Sequence, residues 1–218
     1  METYHPPANT GLNTLYKDDY ILIVDKPSGL LSVPGRGEAK QDCLISRVQE
    51  SYPEALIVHR LDMSTSGLIV LALDTDTHRL LSKQFAEREV TKQYTAVVTG
   101  KLEEPSGVID EPMICDWPNR PRQMIDYEKG KPSQTRYEVI EYTPENNTSR
   151  LRLTPITGRT HQLRLHCQSI GHAILGDRLY ASPEVIAMAD RLLLHATTLS
   201  LSHPVSGEMI NIESTPPF

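Results

Sequence analysis

The sequence has few cysteines, no long apolar run and no secretion signal, and each absence excludes a class of protein. Its three cysteines, Cys43, Cys115 and Cys167, are odd in number and form no CxxC pair, so we expect reduced thiols and no disulfide framework. No segment approaches the roughly 18 consecutive apolar residues that a membrane helix needs. The first residues show neither a basic start nor an apolar stretch, as a signal peptide would. These absences predict a cytoplasmic protein without a membrane partner.

Motifs for nucleotides, metals and serine hydrolases are also missing. The segment "SVPGRGEAK" matches neither GxxxxGK[ST] nor GxGxxG, and no GxSxG occurs. His161 and His166 lie five residues apart, which does not bring two rings onto one face of a helix. We therefore expect no cofactor and no metal site, and we expect most histidines to be hydrogen-bonded structural residues.

Basic residues are in the minority overall but are concentrated in two stretches. The net charge is −6, from 22 basic and 28 acidic residues. Five basic and two acidic residues lie in "NRPRQMIDYEKGKPSQTR", and four arginines lie in the segment 150–164, which has no Asp or Glu. Each stretch is compatible with a solvated mixed surface or with a surface that binds a polyanion such as RNA.

A chain of 218 residues is long enough for one large domain with a sizeable core. Residues 1–14 read as a loose N-terminal arm, and residues 15–218 as a single domain. Strand patterns such as "YILIV", "SGLIVLALD", "KQYTAVVTG" and "TRYEVIEY" outnumber helical ones such as "DTDTHRLLSKQFAERE". The prediction is an α+β fold with a largely antiparallel mixed sheet flanked by helices and loops.

Two segments of the sequence are predicted to form helices. In "TGRTHQLRLHCQSIGH" Leu163 and Leu165 alternate as in a strand, but Leu163, Cys167 and Ile170 fit a helix; we predict a helix that Thr160 caps and Gly171 ends. In "KQDCLISRVQESY" the spacing predicts a helix with Asp42 as its N-cap.

The segment "HRLDMSTSG" places an aspartate, Asp62, directly before an apolar strand, and two arginines, Arg159 and Arg164, lie in "GRTHQLR". A carboxylate beside an arginine in a partly dry cleft stays ionised and fixed in orientation, so it could serve as a nucleophile or a base. Alternatively, Asp62 caps the following turn through the N–H groups of Ser64 or Thr65.

The same segment resembles the HRLDxxTSG signature of the RluA family of pseudouridine synthases. Three more segments agree with that family in order: "YKDDYILIVDKPSGLLSVPG", "KQYTAVVTG" and "TGRTHQLRLHCQSIGHAILGD", with Ala173 where the family usually has proline. The resemblance spans about residues 15–202 and implies no S4-like RNA-binding domain. This short form, with "CDWPNRPRQ" and "LYASPE", is most similar to the member that modifies a 23S rRNA uridine and the anticodon stem-loop of certain tRNAs.

The resemblance implies a catalytic cleft across the sheet, in which the uracil N1–C1′ bond breaks and the base is rejoined through C5. It implies that Asp62 is the catalytic carboxylate and that Arg164 pairs with it. Tyr94 would stack on the flipped uracil, Leu163 would pack on the other side of the base, and Arg60 would push toward the space the base leaves. Tyr94 and Leu163 could instead be ordinary core residues.

We expect RNA stem-loops of 23S rRNA and tRNA as the partner, and a monomer. The predicted RNA contacts are the basic residues of one insertion and of the charged helix: Arg120, Arg122, Lys129, Lys131, Arg79, Lys83 and Arg88. Two other functions remain open from the residues: an RNA N-glycosidase that releases the base, and a non-catalytic RNA-binding or ribosome-assembly protein.

Overall fold

The computed structural model describes residues 4–218, which form two compact units. The first unit contains residues 4–92 and 196–217, and the second unit contains residues 93–195 and Phe218. Strands outnumber helices in the described residues, and the strand pairs within each unit run antiparallel. The predicted α+β class is therefore confirmed, whereas the assignment of residues 15–218 to one catalytic domain stays a prediction.

In chain order the elements are β1 (Thr14–Lys17), β2 (Ile21–Lys26), a 3-10 turn (Glu38–Lys40), α1 (Leu44–Gln49), β3 (Leu56–Ile57), β4 (Ser66–Ala72), α2 (Thr75–Glu87), β5 (Thr91–Thr99), β6 (Ser106–Asp110), β7 (Met113–Cys115), β8 (Gln123–Ile125), β9 (Gln134–Thr143), β10 (Thr148–Pro155), α3 (Gln162–Ser169), α4 (Pro183–Ile186), β11 (Leu194–Ser202) and β12 (Met209–Glu213).

The first unit is built on β4, an apolar strand that is buried along its whole length. It pairs antiparallel with β2 on one side, and β2 pairs with β1 through a turn in which the Asp18 carboxylate accepts the N–H groups of Tyr20 and Ile21, each at 2.8 Å. Helix α2 packs Leu81 into the cluster formed by alternate β2 and β4 side chains. Burying these aliphatic side chains contributes about 1.5–3 kcal/mol each.

The N-terminal arm is docked on the first unit from residue 4 onward, which corrects the expectation of a loose segment. The buried Tyr4 hydroxyl donates to the carbonyl of Asp42 at 2.9 Å, and the guanidinium of Arg47 donates to the carbonyl of Pro7 at 2.6 Å. Asp42 pairs with Arg47 and is not the N-cap of α1, because Cys43 occupies that position. Residues 1–3 of the predicted arm lie outside the described residues.

The second unit contains an antiparallel sheet in the order β5, β10, β9, β6, and β7 and β8 form a separate hairpin. Tyr94, Ala96 and Val98 of β5 point to one side of this sheet, as their alternation predicts, and pack in a cluster with β10 and α3. Tyr94 lies opposite Leu153 in the β5–β10 register.

Helix α3 is confirmed over Gln162–Ser169, and Gly171, at φ 82°, follows its end as predicted. The predicted cap Thr160 is wrong by one residue, because His161 is the N-cap and adopts a left-handed conformation. The next residue, Gln162, fixes the start of the helix: its amide donates to the carbonyl of Gln134 at 2.9 Å and accepts from the N–H of Arg159 at 3.0 Å.

Candidate active site

Asp62 is half-buried in the turn that leads into β4 of the first unit. The N–H of Thr65 donates to the backbone carbonyl of Asp62 at 3.1 Å. The main chain of Asp62 thus closes the turn, and the alternative role of its side chain as a cap stays a prediction. At the start of β4, Gly67 has a φ of 113°, and a Cβ there would lie 2.3 Å from the carbonyl oxygen of Ala196. Only glycine fits this close approach of two backbones.

A buried lysine, Lys26, holds the Asp62 turn in place through hydrogen bonds to backbone carbonyls. Lys26 is fully buried, and its ammonium group donates to the carbonyls of Leu30, Pro27 and Met63 at 2.7, 2.9 and 3.1 Å. A desolvated charge is tolerated only when hydrogen bonds compensate it, and these carbonyls supply them. The chain on the C-terminal side of Asp62 is thereby held to the segment after β2.

A serine holds the other side of the same turn. The buried hydroxyl of Ser32 donates to the carbonyl of Leu61 at 2.7 Å and accepts from the N–H of Leu61 at 3.1 Å. Together with Lys26, this contact fixes the backbone on both sides of Asp62, which preorganises its carboxylate. The neighbouring Arg60 is exposed.

His59, three residues before Asp62, is a structural residue. Its Nε2 accepts the N–H of Val70 at 3.1 Å, and its ring stacks on Phe85 with centroids 4.5 Å apart. Burial, assisted by the positive charge of Lys92, lowers the pKa of His59 to about 3. The imidazole is therefore neutral at physiological pH, as the hydrogen bond to Nε2 requires.

The second unit contains the other predicted site residues. Leu163 is buried and Tyr94 is half-buried, and both pack against the cluster that includes Leu153. Arg164 follows Leu163 on α3 and is 4% exposed. Tyr94, Leu163 and Arg164 are thus grouped in this unit, while Arg60 and Asp62 belong to the first unit.

Arg164 forms a bidentate ion pair with Asp177, a residue that the sequence had not singled out. Its Nε and Nη2 donate to the two carboxylate oxygens at 2.8 and 2.6 Å, and Asp177 is 1% exposed. The same carboxylate accepts the N–H groups of Leu179 and Tyr180. This pair fixes the plane of the guanidinium and uses two of its five N–H donors.

Tyr180 connects this ion pair to the β7–β8 hairpin, residues 113–125. Its ring centroid lies 5.3 Å from the guanidinium carbon of Arg164 and 5.7 Å from that of Arg122, which is on the hairpin. Its hydroxyl accepts the N–H of Gln123 at 2.8 Å and lies 2.8 Å from Nδ1 of His161. The stem of the hairpin is therefore attached beside Arg164.

The predicted RNA contacts are all exposed but differ in their surroundings. Arg120, Arg122, Lys129 and Lys131 lie on the β7–β8 hairpin or in the loop that follows it, where Arg120 stacks on Trp117. On α2, by contrast, Arg79 lies 3.5 Å from Asp76, Lys83 lies 3.9 Å from Glu87, and Arg88 follows the last turn. These acidic neighbours weaken the positive field of the helix.

His166 and the buried cysteines Cys43 and Cys167 are placed as structural residues. His166 is buried between the hydroxyl of Thr135 and the carbonyl of Glu111, and burial lowers its pKa. The three cysteines are free, and burial raises the pKa of Cys167 to about 12, so this thiol stays protonated. Within residues 4–218 no three His, Cys, Asp or Glu side chains are grouped as metal ligands would be.

Lys26, Asp177 and Tyr180 therefore support the site without having been predicted. Asp177 lies in "GHAILGD", part of a segment that agrees with the family. That motif could therefore have pointed to Asp177 as a site residue. For Lys26 the signal was an ionisable residue at the end of an apolar strand, the same feature that drew attention to Asp62.

Comparisons with known proteins identify the family to which the chain is similar. The model of the RNA pseudouridylate synthase family matches residues 20–169. The dual-specificity RNA pseudouridine synthase RluA of Escherichia coli K12 is 55% identical over 218 residues, covering 100% of this chain and 99% of that protein. RluA of Pasteurella multocida is 50% identical over 216 residues, covering 99% and 98%.

The fold of this chain is also found in a solved structure. Human RNA pseudouridylate synthase domain containing 1 superimposes with a TM-score of 0.81 at 29% identity, over 98% of this chain and 87% of that one. Within residues 4–218, no helix has the length and the apolar character that crossing a membrane requires.

Proposed function

This chain belongs to the RNA pseudouridylate synthase family, and from that premise we propose that it isomerises specific stem-loop uridines in both 23S rRNA and tRNA. The activity itself, an isomerase that makes pseudouridine in RNA, follows from family membership. The observation that carries the double specificity is the 55% identity with the dual-specificity enzyme of Escherichia coli over the full length of this chain.

In this proposal the Asp62 carboxylate acts on the ribose of the target. It either attacks C1′ or removes the C2′ proton, and in both routes the N1–C1′ bond breaks. The uracil then turns, C5 bonds to C1′, and the C5 proton is lost while N1 gains one, so no oxidant, phosphate or cofactor takes part. The support is the anchoring of the Asp62 turn, where Lys26 binds the carbonyl of Met63 and Ser32 binds the carbonyl and the N–H of Leu61. A carboxylate that acts on one ribose carbon must be held within a fraction of an ångström.

Arg164, Tyr94, Leu163 and Arg60 form the substrate site in the same proposal. Arg164 keeps Asp62 ionised, and its guanidinium is already oriented by the bidentate pair with Asp177. The half-buried ring of Tyr94 stacks on the flipped uracil, which returns roughly 1–3 kcal/mol of the unstacking cost. Leu163 contacts the other side of the base, and exposed Arg60 enters the space that it leaves.

RNA is held outside the site by the exposed cations of the β7–β8 hairpin and its following loop, and to a lesser extent by α2. The net charge of −6 predicts modest non-specific affinity, so recognition relies on the shape of a loop whose bases are already partly unstacked. We also propose that the protein acts as a monomer in the cytoplasm.

The proposal is tested by mapping pseudouridine in 23S rRNA and tRNA from cells that lack the protein, then from cells that carry the wild type or Asp62→Asn. We expect sites in both RNA classes to disappear in the deletion, to return with the wild type and to stay absent with Asp62→Asn. Arg36→Ala, an exposed cation outside the proposed site, is the matched control and should restore both classes.

Three outcomes would contradict parts of the proposal. Loss of sites in one RNA class alone would remove the double specificity. Restoration by Asp62→Asn would remove Asp62 from catalysis. Free uracil released from labelled RNA by the purified protein would indicate the base-releasing N-glycosidase.

A further inference from the structure

An exposed tryptophan, Trp117, stands at the turn of the β7–β8 hairpin. It is 64% exposed, although exposing an indole to water is unfavourable. The turn itself is well defined, because the Asn119 amide donates to both carboxylate oxygens of Asp116 at 3.1 and 3.0 Å. Trp117 is therefore presented to solvent by an ordered turn.

One face of the Trp117 ring is covered by a cation. The guanidinium carbon of Arg120 lies 4.6 Å from the ring centroid, and Arg120 Nε donates to the carbonyl of Trp117 at 3.2 Å. With Arg120 on one face and 64% of the residue still exposed, the opposite face is open to solvent. A flat aromatic surface backed by a guanidinium suits a nucleobase, since every base offers a π-face and every nucleotide a phosphate.

The hairpin places this surface close to the proposed substrate site. Tyr180 lies between Arg164 and Arg122, and its hydroxyl holds the N–H of Gln123. Gln123 pairs across the hairpin with Cys115, and Trp117 is two residues beyond Cys115, which is about 7 Å of extended chain. A nucleotide flanking the one bound at Arg164 thus lies within reach of the indole.

We propose that Trp117 is a base-stacking residue that binds an unpaired nucleotide next to the target uridine. The inference rests on the proposed function, because it takes Arg164 as part of the substrate site. The cations of the hairpin favour RNA over an apolar protein segment as the occupant, since Arg120 lies on the Trp117 ring and the exposed Arg122 is two residues further on. It also explains why recognition would depend on an open loop.

The chain contains a single tryptophan, so its intrinsic fluorescence reports on this residue alone. The experiment titrates an anticodon stem-loop RNA into the Asp62→Asn protein and follows both the tryptophan emission and the dissociation constant. We expect RNA binding to quench the emission and to protect the indole from acrylamide. Loop nucleotides are then replaced by abasic residues one at a time. We expect one of these replacements, at a position near the target uridine, to abolish the quenching.

Variants separate stacking from a structural role. We expect Trp117→Ala to weaken binding roughly 5- to 150-fold, the equivalent of removing one stacked base, and Trp117→Phe to restore most of it. One abasic replacement should weaken RNA binding to the protein that carries Trp117. The same replacement should not further weaken RNA binding to the Trp117→Ala variant. Met124→Ala removes an exposed apolar side chain from the same hairpin and is the control that should bind normally.

The inference is wrong if RNA binds while the emission and acrylamide quenching stay unchanged, or if Trp117→Ala binds as tightly as Met124→Ala. These binding results do not depend on turnover. A failure of the proposed function would appear separately, as a wild-type protein that binds the stem-loop but forms no pseudouridine in it.

Discussion

At the scale of single residues, the second unit allows a buried and an exposed arginine–carboxylate pair to be compared. Arg164 and Asp177 are both at most 4% exposed, whereas Arg152 and Glu138 form their pair at the surface. We expect Asp177→Asn to lower the free energy of unfolding by about 3–5 kcal/mol, because the buried guanidinium of Arg164 loses the carboxylate charge to which it donates two hydrogen bonds. Glu138→Gln should lower it by less than about 1 kcal/mol. Urea unfolding of both variants measures the difference.

Equal costs in the two variants would mean that Arg164 is compensated by other groups when Asp177 is neutral. A loss of pseudouridine formation in Asp177→Asn under conditions where the protein is folded would further indicate that Asp177 orients Arg164 for the reaction.

The neutral His59 makes stability depend on pH. Its pKa is lowered to about 3 in the folded protein, against about 6.5 in an unfolded chain. As pH falls from about 6.5 toward 3, the unfolded chain takes up a proton that the folded protein does not, so the folded state loses stability. We expect the free energy of unfolding of His59→Gln to fall less steeply over this range. The two slopes should differ by up to about 1.4 kcal/mol per pH unit. Urea unfolding at a series of pH values gives both slopes, and parallel slopes would contradict the prediction. His166, whose pKa is also lowered, is present in both proteins.

At the scale of elements, the close packing of β4 and β11 depends on one glycine. A Cβ at Gly67 would lie 2.3 Å from the carbonyl oxygen and 2.5 Å from the nitrogen of Ala196, and the φ of 113° disfavours any other residue. We expect Gly67→Ala to destabilise the protein by about 3 kcal/mol or more, from overpacking and backbone strain together.

Gly158→Ala is the control, because a Cβ there meets no atom within 4 Å and its φ needs no glycine. Thermal unfolding of both variants tests the prediction, and a Gly67→Ala protein as stable as Gly158→Ala would show that β4 can shift away from Ala196.

Elements with a clear apolar period could be predicted from the sequence, and those that depend on distant partners could not. β4 and α2 have strong patterns and were found where expected. The β7–β8 hairpin was missed because its strands have three residues each, too few for alternation to show. The start of α3 was displaced by one residue because Gln162 is fixed by Gln134, which is 28 positions away.

The candidate site shows the same division. Asp62, Tyr94, Leu163 and Arg164 were identified through motifs, since their chemistry is local in sequence. The residues that hold them in place, Lys26 and Asp177, were not identified. A buried lysine among carbonyls, or an aspartate that pairs with an arginine 13 residues away, becomes evident only once the chain is folded.

At the scale of the whole molecule, an acidic protein must attract a polyanion. A net charge of −6 repels RNA at a distance, but the Debye length is only about 8 Å at physiological salt, so nearby cations dominate once the surfaces approach. On the hairpin, Arg120 lies beside Trp117 and Arg122 beside Tyr180, whereas Arg79 and Lys83 of α2 lie beside acids at 3.5 and 3.9 Å. The two predicted RNA surfaces should therefore differ in their contribution.

The salt dependence of RNA binding measures that difference. Removing one cation that neutralises a phosphate reduces the slope of log K against log salt by about 0.7 for single strands and 0.9 for duplexes. We expect Arg120→Ala with Arg122→Ala to reduce the slope by about 1.4 to 1.8, and Arg79→Ala with Lys83→Ala to reduce it by less than about one. Dissociation constants for one stem-loop RNA at four or five salt concentrations give the three slopes. An unchanged slope in the hairpin variant would place the RNA elsewhere on the protein, and equal reductions would show that the α2 cations bind phosphates despite their acidic neighbours.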